Sequence, residues 1–161
     1  MDDTSFDVIT LGETMALLVA DEPGPLAECE HFTKHLAGAE SNVAIGLARL
    51  GLRVSWVSRI GADSFGEFVR RAVAREQVDC TNVGVDAQRP TGFMLKARSL
   101  DGQDPKVEYF RKGSAASALP AAFAASTLRP SRSSARAVRQ WSPGSAGAAA
   151  RPAPAIRSAS S

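Results

Sequence analysis

Apolar residues in the first two thirds of the chain come in short runs whose period changes from element to element. Phe6-Asp-Val-Ile-Thr-Leu11 is a mostly apolar run closed by Gly12, the pattern of a strand buried on both faces. Met15–Ala20 continues in extended form, and Pro23-Gly24-Pro25 turns the chain. His31–Leu36 then leads to Gly38. From there the period lengthens. Val43, Leu47 and Leu50 recur as one face of a helix, and Gly51 suits the left-handed conformation that ends one. Arg53–Ile60 reads as a second core strand carrying Val54, Trp56 and Val57. Phe65, Phe68, Val69, Ala72 and Val73 again mark a helix face. Ser64 and Glu67 have the spacing of a capping box for that helix, with Asp63 as a competing cap.

Val78–Val85 reads as a further strand with a loop. Thr91–Arg98 and Lys106–Arg111 flank Asp101-Gly102, a hairpin signal. Strand and helix alternate in this order, which predicts an α/β sheet with helices packed on it through right-handed crossovers.

The pattern breaks at Ser114. The last 48 residues hold 16 Ala, 11 Ser, six Arg and five Pro, with no Asp, Glu or Lys. Prolines at 120, 130, 143, 152 and 154 interrupt any helix that the alanines favour, apart from a weak tendency at Ala121–Ala125. Phe123, Leu128, Val138, Trp141 and Ile156 are too sparse for a core. Text of this kind is what an off-frame reading of a GC-rich gene yields. Residues 120–161 are therefore read as a disordered or out-of-frame tail, and 1–119 as the folded part.

Charge divides the chain at the same place. The formal net charge of +2 hides 13 Lys and Arg against 17 Asp and Glu in residues 1–113, then six Arg and no acid beyond. Cys29 and Cys80 fit no metal spacing and are read as reduced thiols. No apolar run approaches a membrane span, and the acidic start Met1-Asp-Asp-Thr-Ser5 is unlike a signal peptide. A cytoplasmic protein is the expectation.

The segment Gly38-Ala-Glu-Ser-Asn-Val-Ala44 carries the candidate chemistry. Gly38 and Ala39 let backbone approach something closely. Asn42, read as a buried amide in the first helical turn, needs a partner, which is either a neighbouring loop or a ligand. The first-turn N–H groups would point at the same place.

These residues, followed by the helix and Gly51, resemble the N-terminal signature of the PfkB (ribokinase-like) carbohydrate kinases. Arg53-Val-Ser-Trp-Val-Ser-Arg-Ile-Gly-Ala-Asp-Ser-Phe-Gly66 is similar to that family's next block. Within the family, Gly38–Asn42, Arg89-Pro-Thr-Gly92 and Tyr109-Phe-Arg-Lys-Gly-Ser-Ala115 most resemble 2-keto-3-deoxygluconate kinases, over about residues 6 to 119. The resemblance implies the N-terminal part of a three-layer αβα fold, with a small β-sheet lid over the sugar. It implies a substrate site at Gly12, Gly38, Ala39, Glu40, Ser41, Asn42, Tyr109 and Arg111. Gly12 ends the first strand, where α/β sheets open their ligand crevice.

Arg111 is the candidate for a sugar-acid carboxylate, since its planar fork can bind that group bidentately; the alternative is an exposed lid arginine. Tyr109 either stacks beside it or packs in the lid. Met94 stands where the keto-deoxygluconate enzymes are expected to carry a hydroxyl-bearing aromatic.

Intact relatives are implied to transfer a phosphoryl group from ATP, with Mg²⁺, to a sugar or sugar acid. Their Asp-Thr-x-Gly-Ala-Gly-Asp block, which supplies the catalytic base and anion-hole amides, has no counterpart in the 161 residues. No catalytic, cofactor-binding or metal-binding residue is therefore assigned, and an inactive fragment is the expectation. The rival is a non-catalytic sugar-binding or dimerisation remnant, with a homodimer formed through the lid.

Other signals are weaker. Gly61-Ala-Asp-Ser-Phe-Gly66 is read as a structural turn and not as a phosphate loop. His31 and His35 share a face but lack a third zinc ligand. Arg129, Arg132, Arg136 and Arg139 lack the aromatic platform of a single-strand binder, so a nucleic-acid partner is not expected.

Overall fold

The computed structural model describes residues 6–99, 104–119 and 136–138. In chain order the elements are β1 (Val8–Leu11), β2 (Met15–Pro23), β3 (Phe32–Ala37), α1 (Ala39–Arg49), β4 (Val54–Gly61), α2 (Ser64–Arg75), β5 (Val83–Asp86), β6 (Phe93–Arg98), β7 (Val107–Phe110) and β8 (Arg136–Val138). One sheet has the order β5-β4-β1-β8 and is parallel throughout. The other has the order β3-β2-β6-β7, parallel between β2 and β6 and antiparallel at both sides.

β4 explains the first sheet. Seven of its eight residues are buried, as a strand must be when helices cover one face and further chain the other. Val54, Trp56 and Ile60 pack with Val8, Ala44, Val69, Val73 and Val83 in one core cluster. Trp56 is fully buried, and its indole N–H donates to the Gly12 carbonyl at 3.1 Å. The central strand thereby fixes the exit of β1.

α1 bears out only Leu47 of the face that apolar spacing predicts. Ser41 and Ala44 are its buried residues, with Ile45, Leu47 and Ala48 packed partly around them. Val43 is 42% and Leu50 79% exposed. The small residues are inside because α1 lies close on β1 and β4, and a larger residue at 44 would hold it off. Gly51 has φ of 88°, the left-handed helix end expected of it.

α2 is capped by Asp63 and not by Ser64. The Asp63 carboxylate accepts the Gly66 N–H at 2.7 Å. Glu67 reaches forward to Arg71 at 3.1 Å instead of back to the cap. α2 packs on both β4 and β2 and so joins the two sheets. The ends of the two helices are tied by Arg49, whose guanidinium donates to both Glu76 carboxylate oxygens at 2.7 and 2.9 Å.

The span read as one strand from Val78 to Val85 is broken. Asp79 bridges β4 alone, exchanging backbone bonds with Val54 and Trp56. Its carboxylate then accepts the Thr81 hydroxyl at 2.7 Å, which turns the chain before β5. β6 and β7 form the expected hairpin, whose tip at Asp101-Gly102 lies outside the described residues. β8 adds a strand on the outer side of β1. The rest of 120–161, with its expected mobility, the Ala121–Ala125 tendency and Arg129, Arg132 and Arg139, lies outside the described residues. Among the described residues no helix is long and apolar enough to cross a membrane.

Candidate functional site

β1 has neighbours on both sides, and the chain leaves it toward β4 and β5 on one side only. Its carboxyl end is thus the switch point at which an open parallel sheet forms a crevice. Gly12, Glu13 and Thr14 occupy that end. A Cβ at Gly12 would run into the Glu40 side chain, which folds over it from the first turn of α1. A Cβ at Gly38 would lie 2.6 Å from the Ser41 hydroxyl and 2.8 Å from the Glu13 carbonyl. Gly38 has φ of 174°, so close approach and not a left-handed backbone requires the glycine.

α1 begins without a side-chain cap. Ser41 instead donates back to the Gly38 carbonyl at 3.1 Å, and Asn42 N–H makes the first helical bond to the same carbonyl at 3.0 Å. The N–H groups of Ala39, Glu40 and Ser41 have no acceptor within the helix. Ala39 and Asn42 are exposed. The expectation of a buried Asn42 amide is corrected here: its side chain stands in the open at the helix start, and needs no loop partner because water can serve it.

The lid reaches the same end of β1. Arg111, just past β7, places Nη2 2.8 Å from Glu13 Oε2. Ser114 donates to the other oxygen, Oε1, at 2.6 Å. The Glu13 side chain is only 9% exposed and that of Arg111 48%. Gly92 makes room for both, since a Cβ there would lie 2.5 Å from Glu13 Oε1 and 3.3 Å from Arg111 Cβ. Arg111 is thus neither a free fork nor a loose surface arginine.

Tyr109 is 59% exposed and sits opposite Met94, which is buried. Phe110 points to the other side and stacks on Phe93 at 4.7 Å, which in turn meets Phe65 of α2 at 5.4 Å. That aromatic row seats the lid on the helix layer. By alternation along the ribbon, Tyr109 and Arg111 share the opposite side.

Asp63 anchors the other end of the lid. Its second oxygen accepts the Thr91 N–H at 2.8 Å, and the Thr91 hydroxyl accepts the Gly61 N–H at 2.8 Å. Burial alone would raise the Asp63 carboxyl. The N–H groups of Thr91, Gly66 and Phe65 and the Thr91 hydroxyl outweigh it and hold the carboxyl below the ordinary 3.8. Asp86 is also held below 3.8, by the Gln88 N–H first and against the cost of burial, with Arg89 and Arg59 adding to the effect. Within the Gly61–Gly66 turn the Gly61 N–H goes to the Thr91 hydroxyl, the Ala62 N–H to the Asp86 carbonyl and the Gly66 N–H to Asp63, the use a structural turn makes of its amides.

Among the described residues no group of three or more His, Cys, Asp or Glu could hold a metal ion. His31 pairs with Glu22 at 2.8 Å in the open.

Glu13 went unremarked in the sequence pattern, and Gly92 and Ser114 entered only as members of family motifs, with no role of their own. A single acid between the apolar runs Phe6–Leu11 and Met15–Ala20 was the available signal for Glu13, because a charge at the end of a buried strand needs a partner.

The profile of the pfkB family carbohydrate kinases matches residues 5–136. The chain belongs to the pfkB family of carbohydrate kinases. The pfkB match runs past the point near 119 where the recognisable motifs stop. A 2-dehydro-3-deoxygluconokinase of Bacillus subtilis (strain 168) is 49% identical over 117 residues, which are 72% of this chain and 36% of the relative. The crystal structure of a PfkB protein from Polaromonas sp. JS666 superposes with a TM-score of 0.71 at 56% identity, covering 74% of this chain and 40% of that one. A sugar kinase from Pyrococcus horikoshii in complex with ATP gives a TM-score of 0.62 at 31% identity, covering 67% and 35%. The chain thus spans little more than a third of the length of the pfkB relatives it matches, and its sheets and helices are those of the N-terminal part of their fold.

Proposed function

We propose that this chain supplies the acceptor side of a carbohydrate kinase whose substrate is a sugar acid of the 2-keto-3-deoxygluconate class. The observation that carries the reading is the meeting of three segments distant in sequence. The end of β1, the open start of α1 and Arg111 of the lid come together around Glu13. In this reading Gly12, Gly38 and Ala39 admit the sugar close to backbone. Glu40, Ser41 and Asn42 present hydroxyl-binding groups at the helix start, and Tyr109 lines the lid side. Arg111 takes the carboxylate. Glu40 disfavours an anion at the helix start, so the acid end of the ligand is placed at Arg111.

In intact relatives ATP donates the phosphoryl group. The catalytic base and the nucleotide side are assigned to the Asp-Thr-x-Gly-Ala-Gly-Asp block, which these 161 residues lack, so the chain alone binds sugar without phosphorylating it. The exposed edge strand β7, with Tyr109 59% and Phe110 46% exposed, favours the second reading, a sugar-binding or dimerisation remnant that pairs through the lid.

Ligand-observed NMR with 2-keto-3-deoxygluconate and a matched neutral sugar tests the first reading. Asn42→Ala should weaken both ligands, whereas Arg111→Lys should weaken the acid alone, because lysine lacks the planar fork. Equal weakening of both ligands by Arg111→Lys refutes the carboxylate role. A dimer that forms as readily without sugar, in a chain that binds none, favours the second reading.

A further inference from the structure

We propose that Glu13 is the positioning residue of this site: it holds the Arg111 guanidinium by one edge and leaves the remaining N–H donors aimed at a ligand carboxylate. The inference rests on the acceptor-site reading above and adds a residue to it. Arginine offers five N–H donors in a rigid plane. The nearest approach of Arg111 to Glu13 is Nη2 to Oε2 at 2.8 Å. The side chain is about half exposed, so the pairing limits where the guanidinium can move while leaving it donor capacity for a second anion. A free arginine of the same reach would have to give up rotamer freedom when a ligand bound.

The holder is itself held. Glu13 is nearly buried, its Oε1 accepts the Ser114 hydroxyl at 2.6 Å, and Gly92 leaves just the space it fills. Ser114 and Arg111 both follow β7, and Glu13 joins β1 to β2. One carboxylate therefore ties the lid to the floor of the crevice at the point where the acid group of the ligand would enter. A staple that served folding alone would work as well with both partners buried. Leaving the cationic partner half in the open suits a second anion.

The test uses the full chain and titrates it with gluconate and with glucose as probes. Glu13→Gln keeps the side-chain shape and an acceptor for Ser114, and removes the charge that grips Arg111. Gluconate affinity should fall by about tenfold, the worth of one charge-assisted hydrogen bond, with glucose affinity changed by less than about twofold. In the unaltered chain the Arg111 η-nitrogens should give separate NMR signals, which should merge in Glu13→Gln. If that variant does not fold, Ser114→Ala decides. It loosens Glu13 without discharging it, and should cost about two- to threefold for gluconate only.

Tighter gluconate binding in Glu13→Gln would make Glu13 a competitor of the ligand and overturn the proposal. Unchanged binding, or an equal loss for both probes, would make it a staple and overturn it too, while Arg111→Lys still reported on the carboxylate role. If neither probe binds the folded, unaltered chain, the acceptor-site reading falls and this proposal with it.

Discussion

Asp63→Ala should be among the most damaging substitutions outside the hydrophobic core, and its cost can be worked from contacts. The carboxylate caps α2 through the Gly66 N–H at 2.7 Å and satisfies the Thr91 N–H at 2.8 Å. Loss of an Asp N-cap costs about 1 kcal/mol. Thr91 is 4% exposed, so its N–H would be left without a partner away from water, at about 1–3 kcal/mol. Together these predict a loss of roughly 2–4 kcal/mol. Asp63→Asn retains one acceptor but turns an amide N–H₂ toward a donor, and should fall between the two.

The effect depends on pH. The Asp63 carboxyl is held below its ordinary 3.8, so the stability it contributes is full above that value and is lost as pH falls through the folded-state value. The unaltered chain should therefore lose stability in that acid window more steeply than Asp63→Ala does. Urea unfolding monitored by tryptophan fluorescence and by circular dichroism, repeated across that range, measures both quantities. A loss below about 0.5 kcal/mol at neutral pH, the range of ordinary surface substitutions, would show that neither the α2 cap nor the Thr91 N–H depends on Asp63.

Three further outcomes are expected. Trp56→Phe, which removes the hydrogen bond to Gly12, should cost about 1 kcal/mol, and Trp56→Ala about 3–5 kcal/mol; no loss in Trp56→Phe in urea unfolding would show that the indole N–H contributes nothing. Burial, helped by Asp79 and against Arg70, pushes the Cys80 thiol up to about 11, so in a Cys29→Ser chain it should resist maleimide at neutral pH until the chain is unfolded, and prompt labelling of Cys80 in that folded chain would contradict that environment. In α1, Leu50→Ser should change stability by less than about 0.5 kcal/mol and Ala44→Leu should cost about 1–3 kcal/mol by overpacking; the reverse order in thermal melts would restore the face that apolar spacing predicts.

Where sequence and structure agree, the signal was local. Val8–Leu11, Val54–Gly61 and the α2 face each carry a run or period long enough to be read alone, and Gly51 marked its helix end through the one backbone conformation it needed. The misread positions depended on neighbours. Val43 and Leu50 look like a buried stripe, but the close approach of α1 to the sheet selects Ser41 and Ala44 for the inside. Ser64 and Asp63 compete on equal terms locally. Thr91, 28 residues away, decides in favour of Asp63 because its N–H needs the second oxygen. At the site, the motif around Gly38 was legible because glycine at a close approach has few substitutes. The Glu13 grip on Arg111 spans nearly a hundred residues, and no spacing rule predicts which acid a lid arginine will meet.

In the reading proposed above, the end of β1, the start of α1 and Arg111 form one sugar-acid site. Backbone-amide NMR of the full chain titrated with 2-keto-3-deoxygluconate tests it. Shifts should concentrate at Gly12–Thr14, Gly38–Asn42, Gly92 and Tyr109–Ser114, with the last group unmoved by a neutral sugar. Shifts clustered elsewhere, such as at the Asp21–His31 tip, or none at all on a folded chain, would contradict it.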